Sequence, residues 1–340
     1  MRIATYNVEW MNSLFDEDGR LLNDTDQSGR HDVTRADQIA ALSHVFRAID
    51  ADAVMIIEAP DEGRHRKAVV ALETFAAHAD IRARKAIIGF ANDTQQEIAL
   101  LFDPDVLTVD HDPQKHPGAP RFDDVFAIDL DIDATQDRVV FSKPPLELCL
   151  TTVDGARFRM IGAHLKSKAP HGARNRDEVL RISIANRRKQ LAQAIWLRAR
   201  IDAVLDAGAP LMVLGDLNDG PGLDEYENLF GRSSVEIILG GGDTALFDPH
   251  ARQGLQRRLG ATPTTARFWI KPEGRYLQAL LDYIMVSPDL AAQQGRWRIW
   301  HPLDDPECWG SPDLREALVT ASDHFPVTLD IALPSPILGS

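Results

Sequence analysis

Apolar residues recur along the chain in short runs bounded by charged or turn-forming residues. Such runs predict buried strands at residues 2–8, 53–57, 85–90, 98–102, 146–153, 158–163, 211–214, 280–286 and 326–331. Three stretches follow the helical period instead. Residues 34–49 place Ile39, Leu42, Val45, Phe46 and Ile49 at steps of three or four, with Asp32 or Thr34 as N-cap. Residues 66–78 predict a second helix. Residues 179–205 predict the longest, with Leu191, Ala194, Ile195 and Leu197 as its apolar stripe. Asp154-Gly155 between two apolar runs is a hairpin turn. Hairpins mixed with helices predict a mixed α/β layered sandwich and not a purely parallel sheet. The polar stretches 14–30 and 103–120 read as long surface loops. Residues 234–259, with Gly240-Gly241-Gly242, fit no period, and there is no internal repeat.

The polar residues that interrupt this pattern gather at strand ends. Asn7 and Glu9 close the first run and, by the two-residue period of a strand, share a face. Glu58 ends AVMIIE and His164 ends RMIGAH. Asp216 and Asn218 follow PLMVLG, where Gly215 leaves the backbone uncrowded. Asp282 lies inside ALLDYIMV, and Asp323-His324 precede the last strand. Taken singly, each has an ordinary reading: Asp and Asn after a strand make a turn, as Asp219-Gly220-Pro221-Gly222 does; Glu58 is an exposed strand end; His164 and His324 make polar contacts. An acid within an apolar strand is costly unless it is paired or holds a metal, so Asp282 calls for a backbone amide or a histidine partner. So many coincidences at strand ends argue for one shared site.

Composition bounds the class. The chain has 340 residues, 44% hydrophobic and 26% charged, ordinary for a globular protein with a substantial core. No apolar run reaches the ~20 residues of a membrane span, and MRIATYNVEW reads as a strand and not as a secretory leader. Cys149 and Cys308 have no metal spacing; Cys149 reads as a small core residue, and a cytoplasmic protein is the simplest expectation. The net charge of −14 argues against general affinity for nucleic-acid phosphates. Yet residues 157–200 hold twelve Lys and Arg against two acids, a local charge of +10. Arg187 to Arg200 read as a solvated helix face. Lys166, Lys168, Arg174 and Arg176 fall in a loop directly after a strand, where an anionic substrate could be met.

These motifs, in their order, resemble the endonuclease/exonuclease/phosphatase superfamily, which includes exonuclease III-like and deoxyribonuclease I-like enzymes. YNVEW, Ile56-Ile57-Glu58, Ala163-His164-Leu165, Gly215-Asp216-Leu217-Asn218, Leu281-Asp282-Tyr283-Ile284 and Ser322-Asp323-His324 carry the resemblance from residue 2 to about residue 333. Many members have Gln before the glutamate, where this chain has Ile57, and the tyrosine of some repair nucleases is not evident. The resemblance implies a single domain over residues 1–335, a four-layer α/β/β/α sandwich of two packed mixed sheets, with the site at one edge. It implies phosphate-ester hydrolysis with Mg²⁺ or Mn²⁺ held by Glu58, Glu9 and Asp323 with Asn7 assisting. Asp216 would activate the water and Asn218 would hold a non-bridging oxygen. His324, oriented by Asp282, would stabilise developing charge, and His164 would donate a hydrogen bond or a proton. The substrate expected is a compact anionic phosphate ester, a phosphodiester of a small molecule or lipid headgroup; no protein partner is evident. A nuclease is the alternative, with Trp297, Trp300 and Trp309 available for stacking although packing is their expected use. A non-catalytic binding module on the same scaffold is the second alternative.

Overall fold

The computed structural model describes residues 1–94, 96–129, 137–170, 172–220, 231–256, 262–270 and 274–333. Its strands, in chain order, are β1 (Arg2–Asn7), β2 (Ala53–Ala59), β3 (Lys85–Ile88), β4 (Glu97–Phe102), β5 (Leu107–His111), β6 (Phe126–Ile128), β7 (Asp137–Val139), β8 (Leu146–Thr152), β9 (Arg157–His164), β10 (Leu211–Asp216), β11 (Ala266–Ile270), β12 (Arg275–Ala279), β13 (Asp282–Val286), β14 (Arg296–Ile299) and β15 (Val327–Asp330). One sheet has the order β14-β15-β1-β2-β4-β3, the other β13-β10-β9-β8-β5. In each, one central pair is parallel, β1 with β2 and β9 with β10, and the other pairs are antiparallel.

Side-chain alternation builds the layers. Ile3, Met55 and Ile57 of the first sheet meet Leu148, Met160, Leu214 and Ile284 of the second. Their neighbours Ala4, Tyr6, Val54 and Ile56 face the other way, onto helices α1 (Arg35–Ile49) and α2 (Ala68–Ala79) and helix Pro312–Ala321. On the far side Ile161, Val213 and Met285 pack on helix α3 (Arg176–Asp206) through Trp196, Leu197 and Ile201. The result is the expected α/β/β/α sandwich. The sheets approach closely at Gly162, where an added Cβ would lie 2.4 Å from Met55 Sδ.

Helix ends follow local chemistry. Thr34 caps α1 by accepting from the Asp37 N–H, and Asn175 caps α3 by accepting from the Glu178 N–H. Arg176 is therefore the first residue of α3 and not part of a loop. The cations of α3 differ from the solvated face predicted. Arg187 and Arg200 are buried and pair with the buried carboxylates of Asp219 and Glu147, while Arg198 donates to the carbonyls at the end of helix Ser234–Leu239. Periodicity cannot show this, because the partners lie on distant segments.

Further differences have similar causes. The stretch 103–120 is not all loop, since β5 within it pairs with β8. Its alternating Thr108, Val109, Asp110 suit an edge strand that buries little. Residues 234–256 form two short α-helices, Ser234–Leu239 and Pro249–Leu255, with a 3₁₀ turn at Gly242–Thr244 between them, while 257–259, like Pro221 and Gly222, lie outside the described residues. Cys149 is half-buried beside Arg157, not a core residue. Trp297 and Trp300 pack inward, donating to the Ile284 carbonyl and Thr328 hydroxyl; Trp309 is exposed under Arg315. Among the described residues no helix is long and apolar enough to cross a membrane.

Candidate active site

The parallel pairs direct the C-terminal ends of β1, β2, β9 and β10 to one edge of the sandwich. Asn7, Glu58, His164 and Asp216 stand at or beside those ends. Asp282, the first residue of β13, lies opposite Asp216 in register, and His324 immediately precedes the turn into β15. Asp282 is thus at a strand start, not within a strand.

Hydrogen bonds knit the two sheets together here. Asn7 Nδ2, from the first sheet, donates to Asp216 Oδ2 of the second at 3.1 Å. His324 Nδ1 donates to Asp282 Oδ2 at 2.7 Å, and its Nε2 lies 3.9 Å from Asp216 Oδ2. His164 Nε2 approaches the same oxygen to 3.7 Å. Ser322 ties the layers behind them, donating from its hydroxyl to the Asn7 carbonyl while accepting from the His324 N–H. Asp282 Oδ1 is buried without a hydrogen-bond partner among the described residues.

The backbone is strained at this edge. Glu9, Trp10, Glu58 and Asn218 all have left-handed φ, between 39° and 63°. Non-glycine residues rarely adopt this, and such conformations concentrate at functional sites. At Gly215 φ is +133° and an added Cβ would stand 2.1 Å from the Ala163 carbonyl oxygen, so only glycine fits. Two expectations about shared faces change accordingly. β1 ends at Asn7, and Glu9 turns away through its left-handed backbone. Asn218 lies beyond β10 and meets Asp216 through a turn. Its N–H donates to Asp216 Oδ1 at 2.7 Å, and its Nδ2 donates to Asp216 Oδ2 and the Leu165 carbonyl. Both amide hydrogens are thereby engaged, which suits Asn218 to orienting Asp216 more than to gripping a phosphate oxygen.

Electrostatics separates the roles. Burial opposes charge on His324, but Asp282, then Asp216 and Asp323, outweigh it and raise its pKa well above the usual histidine value. Burial, with the charges of Lys143, His324 and Lys166, holds His164 well below that value. Burial pushes Asp216 up to about 7; His324 pulls it down, Asp282 raises it further, and the hydrogen bonds from Asn218 and Asn7 lower it. The site therefore contains a cationic imidazole, a neutral one, and a carboxylate poised near neutrality.

Lys143 escaped the sequence reading. Its Nζ lies 3.2 Å from His164 Nδ1. Burial lowers its pKa, against the pull of Glu58 and Asp216. The one sequence signal is a cation before Pro144-Pro145 at the start of a strand. Of the basic loop, Lys166 acts electrostatically on His164 and Lys143, whereas Lys168 pairs with buried Asp219 at 2.7 Å. Arg174 and Arg176 are exposed around the start of α3.

Two carboxylate groupings could hold a cation. The ligand atoms of Asp216, Asp282 and His324 lie within 4.8 Å of one another. There, however, the imidazole is charged and hydrogen-bonded to Asp282, which disfavours a metal. Glu58 fits better. Its Oε2 accepts from the Trp10 N–H and Gln96 Nε2, while nothing among the described residues donates to Oε1. A carboxylate with one uncommitted oxygen, on the strand that runs parallel to β1 and its terminal Asn7, offers the kind of hard oxygen donor that Mg²⁺ and Mn²⁺ prefer; Asn7 Oδ1 itself accepts from the Glu9 N–H at 3.1 Å. Glu9 and Asp323 lie to one side: Glu9 Oε2 accepts from the Asp323 N–H at 3.1 Å and pairs with Arg30. Burial pushes the Asp323 carboxyl up to about 7.

Such an edge, with paired sheets, a His–Asp couple and clustered carboxylates, is that of a hydrolase acting on phosphate ester bonds. The Endonuclease/Exonuclease/phosphatase family profile matches residues 4–324, and the chain belongs to that family, whose enzymes depend on divalent metals. Solved structures agree on the fold. A truncated TDP2 from Caenorhabditis elegans superposes with TM-score 0.50 at 13% identity, covering 97% of each chain. A family member from Bacteroides vulgatus gives TM-score 0.50 at 14% identity, covering 98% of each chain. No curated protein matches the chain in sequence.

Proposed function

We propose that this chain is a Mg²⁺- or Mn²⁺-dependent phosphodiesterase acting on a small-molecule or lipid-headgroup phosphodiester. The observation that carries the reading is the hydrogen-bonded line Asp282–His324 pointing at Asp216, set beside the half-free carboxylate of Glu58. Glu58, with Asn7 assisting, would hold the ion, while Glu9 and Asp323 lie to one side of it. When bound, it would supply Lewis-acid polarisation of the phosphoryl group and stabilise the leaving oxygen. Asp216, fixed by Asn7 and Asn218, accepts a proton from the attacking water at its carboxylate. His324, kept charged by Asp282, donates from Nε2 to the phosphoryl oxygen as negative charge develops. Neutral His164 donates a hydrogen bond and not a proton at neutral pH, while Lys143 and Lys166 offset the substrate's charge. The intact catalytic set argues against the non-catalytic binding module. A net charge of −14 favours a compact anion over a nucleic-acid groove.

One observation favours the nuclease reading. Hairpin β11–β12 joins the site through Arg267 N–H to Asp323 carbonyl and carries exposed Trp269 against Tyr276, with Arg267 over the Tyr276 ring. Exposed rings on a hairpin hydrogen-bonded to the site would be available to stack on a base. A substrate panel decides. Chromogenic phosphodiester, phosphomonoester, sphingomyelin, inositol phosphates, DNA and RNA are each supplied with Mg²⁺, Mn²⁺ or chelator. The expected outcome is cleavage of a small or lipid phosphodiester that stops on chelation. Rapid cleavage of nucleic acid alone would transfer the assignment to the second reading.

A further inference from the structure

Arg30 reaches back from the 14–30 segment to the acids at the rim of the site. Its Nη1 pairs with Glu9 Oε2, with side-chain exposures of only 14% and 21%. Its Nη2 donates to the Val319 carbonyl at 3.1 Å, and its charge also acts on Asp323. The Glu9 oxygen it holds already accepts the Asp323 N–H. The approach is built into the segment. The Gly29 N–H donates to Ser13 Oγ at 3.0 Å, the Arg30 N–H to Ser28 Oγ at 3.1 Å, and the Ser28 N–H to the Val33 carbonyl at 2.9 Å. A Cβ on Gly29 would lie 2.4 Å from Trp10 Cβ, so the segment is pressed onto the residue that follows Glu9. The neighbouring Trp10 N–H in turn holds Glu58.

We propose that Arg30 is a resident cation that occupies the Glu9–Asp323 side of the site, so that the enzyme takes a single divalent ion, at Glu58. A guanidinium matches a carboxylate in charge and geometry, as a metal would, and a second dication placed against it meets like charge. An open Glu9–Asp323 pair would offer oxygen ligands to a second ion; with Arg30 seated, Glu9 is already neutralised. The inference rests on the reading of Glu58 as the primary metal donor.

The test counts ions. Mn²⁺ binding to the full chain is measured by titration calorimetry and by the electron paramagnetic resonance signal of free Mn²⁺, with thermal melting to verify folding. The expected result is one Mn²⁺ per wild-type chain, one for Arg30→Lys, two for Arg30→Gln, and none of comparable affinity for Glu58→Gln. Two ions on the wild-type chain, or one on a folded Arg30→Gln chain, overturns the role of Arg30 alone. Should Arg30→Gln fail to fold, the wild-type count still decides. No Mn²⁺ on the wild-type chain, or undiminished binding by Glu58→Gln, overturns the metal reading and this inference with it.

Discussion

His324 is the residue on which the site's charge balance turns. Burial alone would strip its proton; Asp282, 2.7 Å away, reverses that. The folded chain therefore holds this proton more tightly than the unfolded chain does. The resulting stability is fully present below the ordinary histidine value of about 6.5 and is lost as pH rises through the raised folded value. Asp282→Asn is accordingly expected to lower the His324 pKa, read by NMR titration, and to cost more stability on the acid side of that range than on the alkaline side. An unmoved His324 titration would remove Asp282 from its assigned role. Asp216 works in the opposite sense, since only its deprotonated form accepts a proton. With its carboxyl pushed up to about 7, kcat/KM should fall as pH drops through that region. The apparent value belongs to the coupled cluster and not to Asp216 alone. A flat profile across this range contradicts the base assignment.

The elements explain why these residues meet. Parallel pairing of β1 with β2 and of β9 with β10 sends four strand ends to one edge, and the sharp exit at Gly215 aims the following turn. Gly215→Ala is expected to destabilise the fold by about 2 kcal/mol or more, measured by urea denaturation, because it combines backbone strain with contact against the Ala163 carbonyl. A change of a few tenths would show that the backbone there can relax. This edge was largely legible in the sequence. Asp216, Asp282, Glu58, His164 and His324 all stand at or next to the ends of apolar runs, and a polar group in such a place announces itself. Arg30 and Lys143 were not legible. Their partners lie 21 residues away for both Arg30–Glu9 and Lys143–His164, across loops whose path no periodicity predicts. Strands β5, β6, β7, β11, β12 and β14 also escaped, because edge strands and small hairpins are short or carry charged and aromatic side chains in place of an apolar run.

For the whole molecule, charge is distributed by function of another kind. Part of the basic segment is internal, since Arg187 and Arg200, which periodicity placed on a solvated face, are buried. Arg187 and Lys168 converge on Asp219, the residue after Asn218, at 2.7 Å each, and so brace the catalytic turn from behind. Removing one partner of a buried pair leaves a charge inadequately compensated, so Arg187→Met should cost about 3 kcal/mol in chemical denaturation. Near-neutral substitution would mean that Lys168 and the backbone satisfy Asp219 alone. Over the whole chain the balance stays acidic, at −14, which disfavours general affinity for a nucleic-acid backbone.

The central claim is that Asp216 activates water for metal-dependent phosphodiester hydrolysis. It is tested most directly by steady-state hydrolysis of a chromogenic phosphodiester by the wild-type chain and by purified Asp216→Ala and His324→Ala variants of verified fold. The wild-type chain should turn over with Mg²⁺ or Mn²⁺ and stop with chelator, and each variant should lose about 10²–10⁴-fold or more in kcat. Full activity in either variant, or wild-type turnover indifferent to chelator, would contradict it.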